Sequence, residues 1–195
     1  MATVTALRRA GRNRVAVEVD GAPWRTLPAQ AVLNARLRVG AALDRPTLRL
    51  LRRELRRAEA LAVATRILAT SDQSALALRK RLERRGIEPR VRQETVQVLE
   101  RSGLVDDRRT AAARAQALAA RGYGDAAIAA DLERRGFDRT SAAAALAALE
   151  PESERAAEIA AHRGTSPKTA HFLASKGFSD EAVEAACGVD FANDP

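Results

Sequence analysis

The chain has 195 residues and a formal net charge of +8, with a hydrophobic share of 46% but an aromatic share of only 3%. A lone cysteine, Cys187, excludes an internal disulfide and any multi-cysteine zinc site. No apolar run approaches the roughly 20 residues that span a bilayer, and the start lacks the apolar core of a secretion signal, so a cytoplasmic protein away from membranes is expected.

Residues 1–27 hold the only β-like stretch. Val4 and Leu7 precede the turn-prone Gly11-Arg12-Asn13, and Val15, Val17 and Val19 then alternate with Ala16 and Glu18, the period of a half-buried strand. Asp20-Gly21 is a hairpin turn signal, and Trp24 and Leu27 suit a short third strand. Leu27-Pro28 leads into a helix with Val32 and Leu33 on its inner face, closed by Gly40.

Asp44 is the expected N-cap of the next helix, with Pro46 in its first turn and an apolar stripe of Leu48, Leu51 and Leu55. Whether that helix breaks before Ala60 or runs on through Ile67 and Leu68 is left open by the pattern.

From about Arg57 onward a repeat sets in. Leu82-Glu83-Arg84-Arg85-Gly86 returns 50 residues later as Leu132-Glu133-Arg134-Arg135-Gly136, and more loosely as Leu173-Ala174-Ser175-Lys176-Gly177. Each copy ends an amphipathic run, and each is followed by an apolar residue (Ile87, Phe137, Phe178). Glycine is the residue expected just past a helix end, so the phrase marks a helix stop inside a repeated unit.

The first unit places a helix through Leu61, Val63, Ile67 and Leu68, a second capped by Ser71 or Asp72 through Leu76, Leu78 and Leu82, and a third from Pro89 through Val91, Val96 and Leu99. The second starts at Asp106-Asp107, breaks at Gly122-Tyr123-Gly124, continues through Ile128 and Leu132, and closes with Asp138 to Leu149, Leu146 facing inward. Its opening helix is plain, with Leu118 as the one large apolar side chain. The third runs from Pro151 through Ile159 to Gly164, resumes at Ser166-Pro167, and ends with a helix capped by Ser179 that carries Val183 and Cys187.

The expected fold is therefore mainly α: tandem three-helix repeats in an elongated, curved array, with a small N-terminal three-stranded β element. The expected boundaries are 1–56 for the β-rich element with its helices, 57–105, 106–150 and 151–188 for the repeats, and 189–195 for a disordered tail. Short, Ala-rich helices bury little area each and depend on neighbours for stability.

Charge is segregated along the chain. Residues 1–60 carry 13 Lys/Arg against 5 Asp/Glu, residues 61–121 carry 13 against 7, and residues 122–195 carry 7 against 13. A basic front meets either a polyanion or an acidic protein surface. The candidate contact residues are Arg52, Arg53, Arg56, Arg79, Lys80, Arg84, Arg85, Arg108, Arg109, Arg121, Tyr123, Arg134 and Arg135. The alternative for the arginines is that they are solvated cations complementing helix C-termini. Tyr123 is either a docking residue or packed beneath its turn, and Asp106-Asp107 are explained as a helix start. His162 and His171 lack ligand partners at metal-binding spacing, so neither a metal nor a cofactor is expected. There is no phosphate-binding glycine loop, serine elbow or His-Glu metal motif, so an enzyme is not expected.

Taken in order, Val19-Asp20-Gly21, Leu37-Arg38-Val39-Gly40, Leu78 to Gly86, Gly103-Leu104-Val105-Asp106-Asp107, Arg121-Gly122-Tyr123-Gly124 and Leu132 to Phe137 resemble the RecX family of recombinase regulators, over roughly residues 4–188. The resemblance implies a monomeric, non-enzymatic protein that binds the RecA recombinase filament and mostly inhibits its ATPase, strand-exchange and co-protease activities in recombination and the SOS response. Single- or double-stranded DNA is a further partner to consider. Two rival readings stay open on the residues alone: a helical DNA-binding module independent of RecA, and an adaptor for other proteins.

Overall fold

The computed structural model describes residues 1–188, so the expected disordered tail at 189–195 lies outside the described residues. The chain begins with an antiparallel sheet of β1 (Val4–Arg9), β2 (Arg14–Val19) and β3 (Ala22–Pro28) in that spatial order. Asp20 and Gly21 both take positive φ in the β2–β3 hairpin, the conformation the Asp-Gly pair favours. Val17 pairs with Leu7 and Arg25, and Val15 with Leu27, so one face of the sheet is apolar.

Ten helices follow among the described residues: α1 (Ala29–Asn34), α2 (Arg45–Leu68), α3 (Ala75–Arg84), α4 (Pro89–Arg101), α5 (Asp107–Ala119), α6 (Asp125–Arg134), α7 (Arg139–Ala147), α8 (Glu152–Arg163), α9 (Pro167–Ser175) and α10 (Asp180–Cys187). The chain is thus mainly helical with a small N-terminal sheet. It divides into two compact units, one of Met1–Thr70 with Arg81–Val98, the other of Ser71–Lys80 with the chain from Leu99 onward.

In the first unit the sheet's apolar face buries Val4, Val17 and Leu27 against Val32, Leu37, Leu43 and Leu51. The expected inward pair on α1 is half right. Val32 is buried, whereas Leu33 is 69% exposed. A helix of six residues presents one stripe to the sheet, and Leu37, beyond its end, takes the second inner place. The helix also stops well before Gly40. Arg36 turns the chain at φ +53, and the segment then runs back along β1, with the Val4 N–H donating to the Ala41 carbonyl and the Leu43 N–H to Ala2.

The Asp44 carboxylate accepts from the Thr47 N–H at 2.8 Å and starts α2. This helix does not break near Ala60. Between Thr47 and Ala69 it meets no Gly or Pro, and Leu51, Ala60, Ala64 and Ile67 are buried along it. The opening helix expected for the first repeat is therefore the second half of a 24-residue helix.

α3 begins later than expected. Its cap is the buried Ser74 rather than Ser71 or Asp72, since the Ser74 hydroxyl oxygen accepts from the Ala77 N–H at 3.1 Å. Leu78 and Leu82 are fully buried along α3, while Leu76 lies on the outer side.

In the second unit one core joins Ala111, Ala115 and Leu118 of α5 to Ile128, Leu132, Phe137 and Ala145. Another joins Ala156 and Ala160 of α8 to Ala170, Leu173, Phe178, Val183 and Cys187. The three glycine stops share one geometry. Gly86, Gly136 and Gly177 have φ of +73, +81 and +82. After each, the next residue's N–H returns to the carbonyl of Leu82, Leu132 or Leu173, and Phe137 and Phe178 fold back into the cores. Burying each ring contributes up to about 3 kcal/mol.

Candidate partner-binding surface

The candidate cations divide by unit, and their surroundings differ more than their sequences do. In the first unit Arg57 is the structural arginine, bonded to Glu94 at 2.7 Å and to Glu54 at 2.8 Å. Burial pushes the Glu54 carboxyl up, but hydrogen bonds from Asn34, Arg53 and Arg57 outweigh this and hold it below the ordinary range. Around that network Arg53 leans on Glu54 at 3.2 Å, and Arg56 reaches Glu88 at 3.8 Å with both side chains exposed. Exposed pairs of that kind contribute little. Arg52, Arg84 and Arg85 are exposed and form no ion pair among the described residues.

In the second unit Arg79 pairs with Glu100 at 3.4 Å, and Lys80 and Arg108 are exposed. Arg109 donates to the Gly103 carbonyl at 3.1 Å and lies 3.9 Å from Asp106. Tyr123 is half-buried beside the core of α5, α6 and α7. Its ring carries the Lys176 ammonium 4.4 Å from its centroid, with the Arg121 guanidinium at 5.8 Å. Arg134 and Arg135 both turn back to Asp131, at 3.4 and 2.9 Å, where Arg114 also binds at 2.8 Å. The Arg114 hydrogen bond is the main reason that the Asp131 carboxyl sits below the ordinary range.

That last contact separates the two copies of the repeated phrase. The position 50 residues before Asp131 is Arg81. In the later copy a carboxylate one turn back pairs with both arginines. In the earlier copy the same place adds a third exposed arginine.

The acidic pair Asp106-Asp107 has two distinct duties. Asp106 caps α5 by accepting from the Arg109 N–H at 3.0 Å. Asp107 accepts from the Ala75 N–H at 2.8 Å and so caps the start of α3 as well. Burial pushes the Asp107 carboxyl up, an effect which the Ala75 N–H partly offsets. Glu152 repeats the arrangement, taking the Asp125 N–H at 2.6 Å on one oxygen and the Ser179 hydroxyl at 2.6 Å on the other.

Sequence reasoning passed over Arg155, which is 8% exposed. It donates to the Tyr123 carbonyl at 2.9 Å, to the Glu150 carbonyl at 3.0 Å and to the Asp125 carboxylate, and it lies over the Phe178 ring. Its available signal was its place on the apolar stripe one residue before Ala156. Among the described residues no group of three or more His, Cys, Asp and Glu could hold a metal ion.

No family model matches this chain. Curated relatives do. The Regulatory protein RecX of Xanthomonas axonopodis pv. citri (strain 306) is 35% identical over 134 residues, which are 64% of this chain and 83% of the relative. That of Xanthomonas campestris pv. campestris (strain B100) is 31% identical over the same length. The chain belongs to the RecX family. The fold agrees across solved RecX structures. A crystal structure of regulatory protein RecX superposes with a TM-score of 0.82 over 97% of this chain and 100% of that one, at 18% identity. RecX from Lactobacillus salivarius superposes with a TM-score of 0.60 over 67% of this chain and 94% of that one, at 17% identity. RecX proteins are named as regulatory proteins, and no helix among the described residues is long and apolar enough to cross a membrane.

Proposed function

We propose that this RecX-family chain is a cytoplasmic, non-enzymatic regulator that binds the RecA recombinase filament as a monomer and lowers its ATP turnover and strand exchange. The observation that carries this reading is that Arg52, Arg81, Arg84 and Arg85 of the first unit are exposed and form no ion pair among the described residues. Arginine is the side chain suited to bidentate contact with carboxylates on a protein surface or with phosphates. The acidic composition of residues 122–195 argues against a chain that simply coats nucleic acid along its length.

The test is a RecA ATPase and strand-exchange assay on single-stranded DNA with the full chain added. Inhibition at or below one chain per RecA protomer is expected. Unchanged turnover and exchange at a several-fold excess would contradict the reading. Equal affinity for naked DNA and for filaments, with a steep salt dependence, would point instead to plain DNA binding.

A further inference from the structure

The helix-stop turn that recurs in the repeats is occupied at its second and third positions. At the α6–α7 turn, the Ser74 hydroxyl donates to the Arg135 carbonyl at 2.7 Å, and Gly136 packs against Ser74 and Leu76. At the α9–α10 turn, the Gly124 N–H donates to the Lys176 carbonyl at 3.0 Å and the Ala126 N–H to the Gly177 carbonyl at 3.1 Å. In both cases the seated element is the start of a helix, α3 in one and α6 in the other. The match is physical: the turn ends a helix and offers carbonyl oxygens with partial negative charge, while the helix start offers donors, the Ser74 hydroxyl at α3 and backbone N–H groups at α6. Glycine lets the two backbones approach, since a side-chain carbon on Gly177 would lie 2.7 Å from Ala127.

The first such turn, between α3 and α4, has the same glycine in the same conformation, yet a side-chain carbon on Gly86 would meet nothing within 4 Å. Its rim is also the most cationic of the three, because Arg81 stands where Asp131 pairs with both arginines of the later copy. We propose that the α3–α4 turn is a seat for the N-terminus of a helix on the partner protein, one with carboxylates in its first turn. The internal template for such an occupant is α6, whose first turn carries Asp125 held by a buried arginine. A second copy of this chain is a poorer occupant. The start of α9 has no acid in its first turn and is capped by its own Ser166.

The proposal rests on the reading that the partner is the RecA filament, and its test keeps the two apart. Fluorescently labelled chain is titrated with RecA filaments on oligo-dT, and separately with the same DNA alone. Arg84→Gln/Arg85→Gln weakens filament binding by about tenfold or more, as expected when charges at an interface lose their partners, with an unchanged melting temperature. Gly86→Asn, which tolerates the positive φ and fills the open space, weakens it as well. Arg134→Gln/Arg135→Gln, whose charges Asp131 already answers, costs much less. Equal losses from the two arginine pairs, or wild-type binding by Arg84→Gln/Arg85→Gln and by Gly86→Asn, overturn the seat while leaving the function standing. Matching losses on DNA alone identify the rim as a phosphate contact and overturn it too. A wild-type chain that ignores filaments overturns both.

Discussion

At the scale of single residues, the chain is held by a few polar side chains that each answer several groups at once. Arg155 joins the Tyr123 and Glu150 carbonyls to the Asp125 carboxylate while nearly buried. Removing one member of such a set strands the others. Arg155→Ala is expected to cost about 3–5 kcal/mol, read as a large drop in the denaturant midpoint. Asp131 makes a pH prediction. Its folded pKa is lowered by Arg114 and Arg135, so the stability it contributes is present above the unfolded value of about 3.9 and is lost as pH falls through the lower folded value. Wild-type stability should therefore drop more steeply below about pH 4 than that of Asp131→Asn, which begins less stable at pH 7. Parallel curves would contradict the assignment.

At the scale of elements, what could be read from sequence was what neighbours along the chain decide. The caps Asp44, Asp106, Ser166 and Ser179 each accept an N–H from three residues on, so local spacing reveals them. Ser74 makes the same local bond, to the Ala77 N–H, and escaped because Ser71 and Asp72 just before it are equally good cap residues. Leu33 faces outward because the buried stripe of this short helix is Ala31 and Val32, and the pattern alone does not say on which side of Val32 the stripe lies. The difference between Arg84-Arg85 and Arg134-Arg135 was present in the letters, at Arg81 against Asp131. Seeing it required asking which side chain lies one turn back on the same face. The plain α5 helix likewise makes sense once packed. Ala111 and Ala115 are fully buried, and their small size lets α7 come close. Ala115→Leu should overpack this contact and cost about 1–3 kcal/mol, seen as a lower melting temperature. A neutral result would mean that the α5–α7 core is looser than described.

At the scale of the whole molecule, the charge distribution and the repeated turns bear on one function. Arg52, Arg81, Arg84 and Arg85 of the first unit form no ion pair among the described residues, whereas Asp107, Glu152 and Arg155 of the second unit hold one helix start against the next. Under this account the chain carries its partner-facing chemistry early and its structural chemistry late. The most direct measurement is co-sedimentation of the chain with RecA filaments assembled on single-stranded DNA, run beside naked DNA at about 0.15 M salt, near physiological ionic strength. The account predicts saturable pelleting that depends on RecA and falls sharply for Arg84→Gln/Arg85→Gln. Chain that stays in the supernatant at all filament concentrations, or pellets equally with naked DNA, would contradict it.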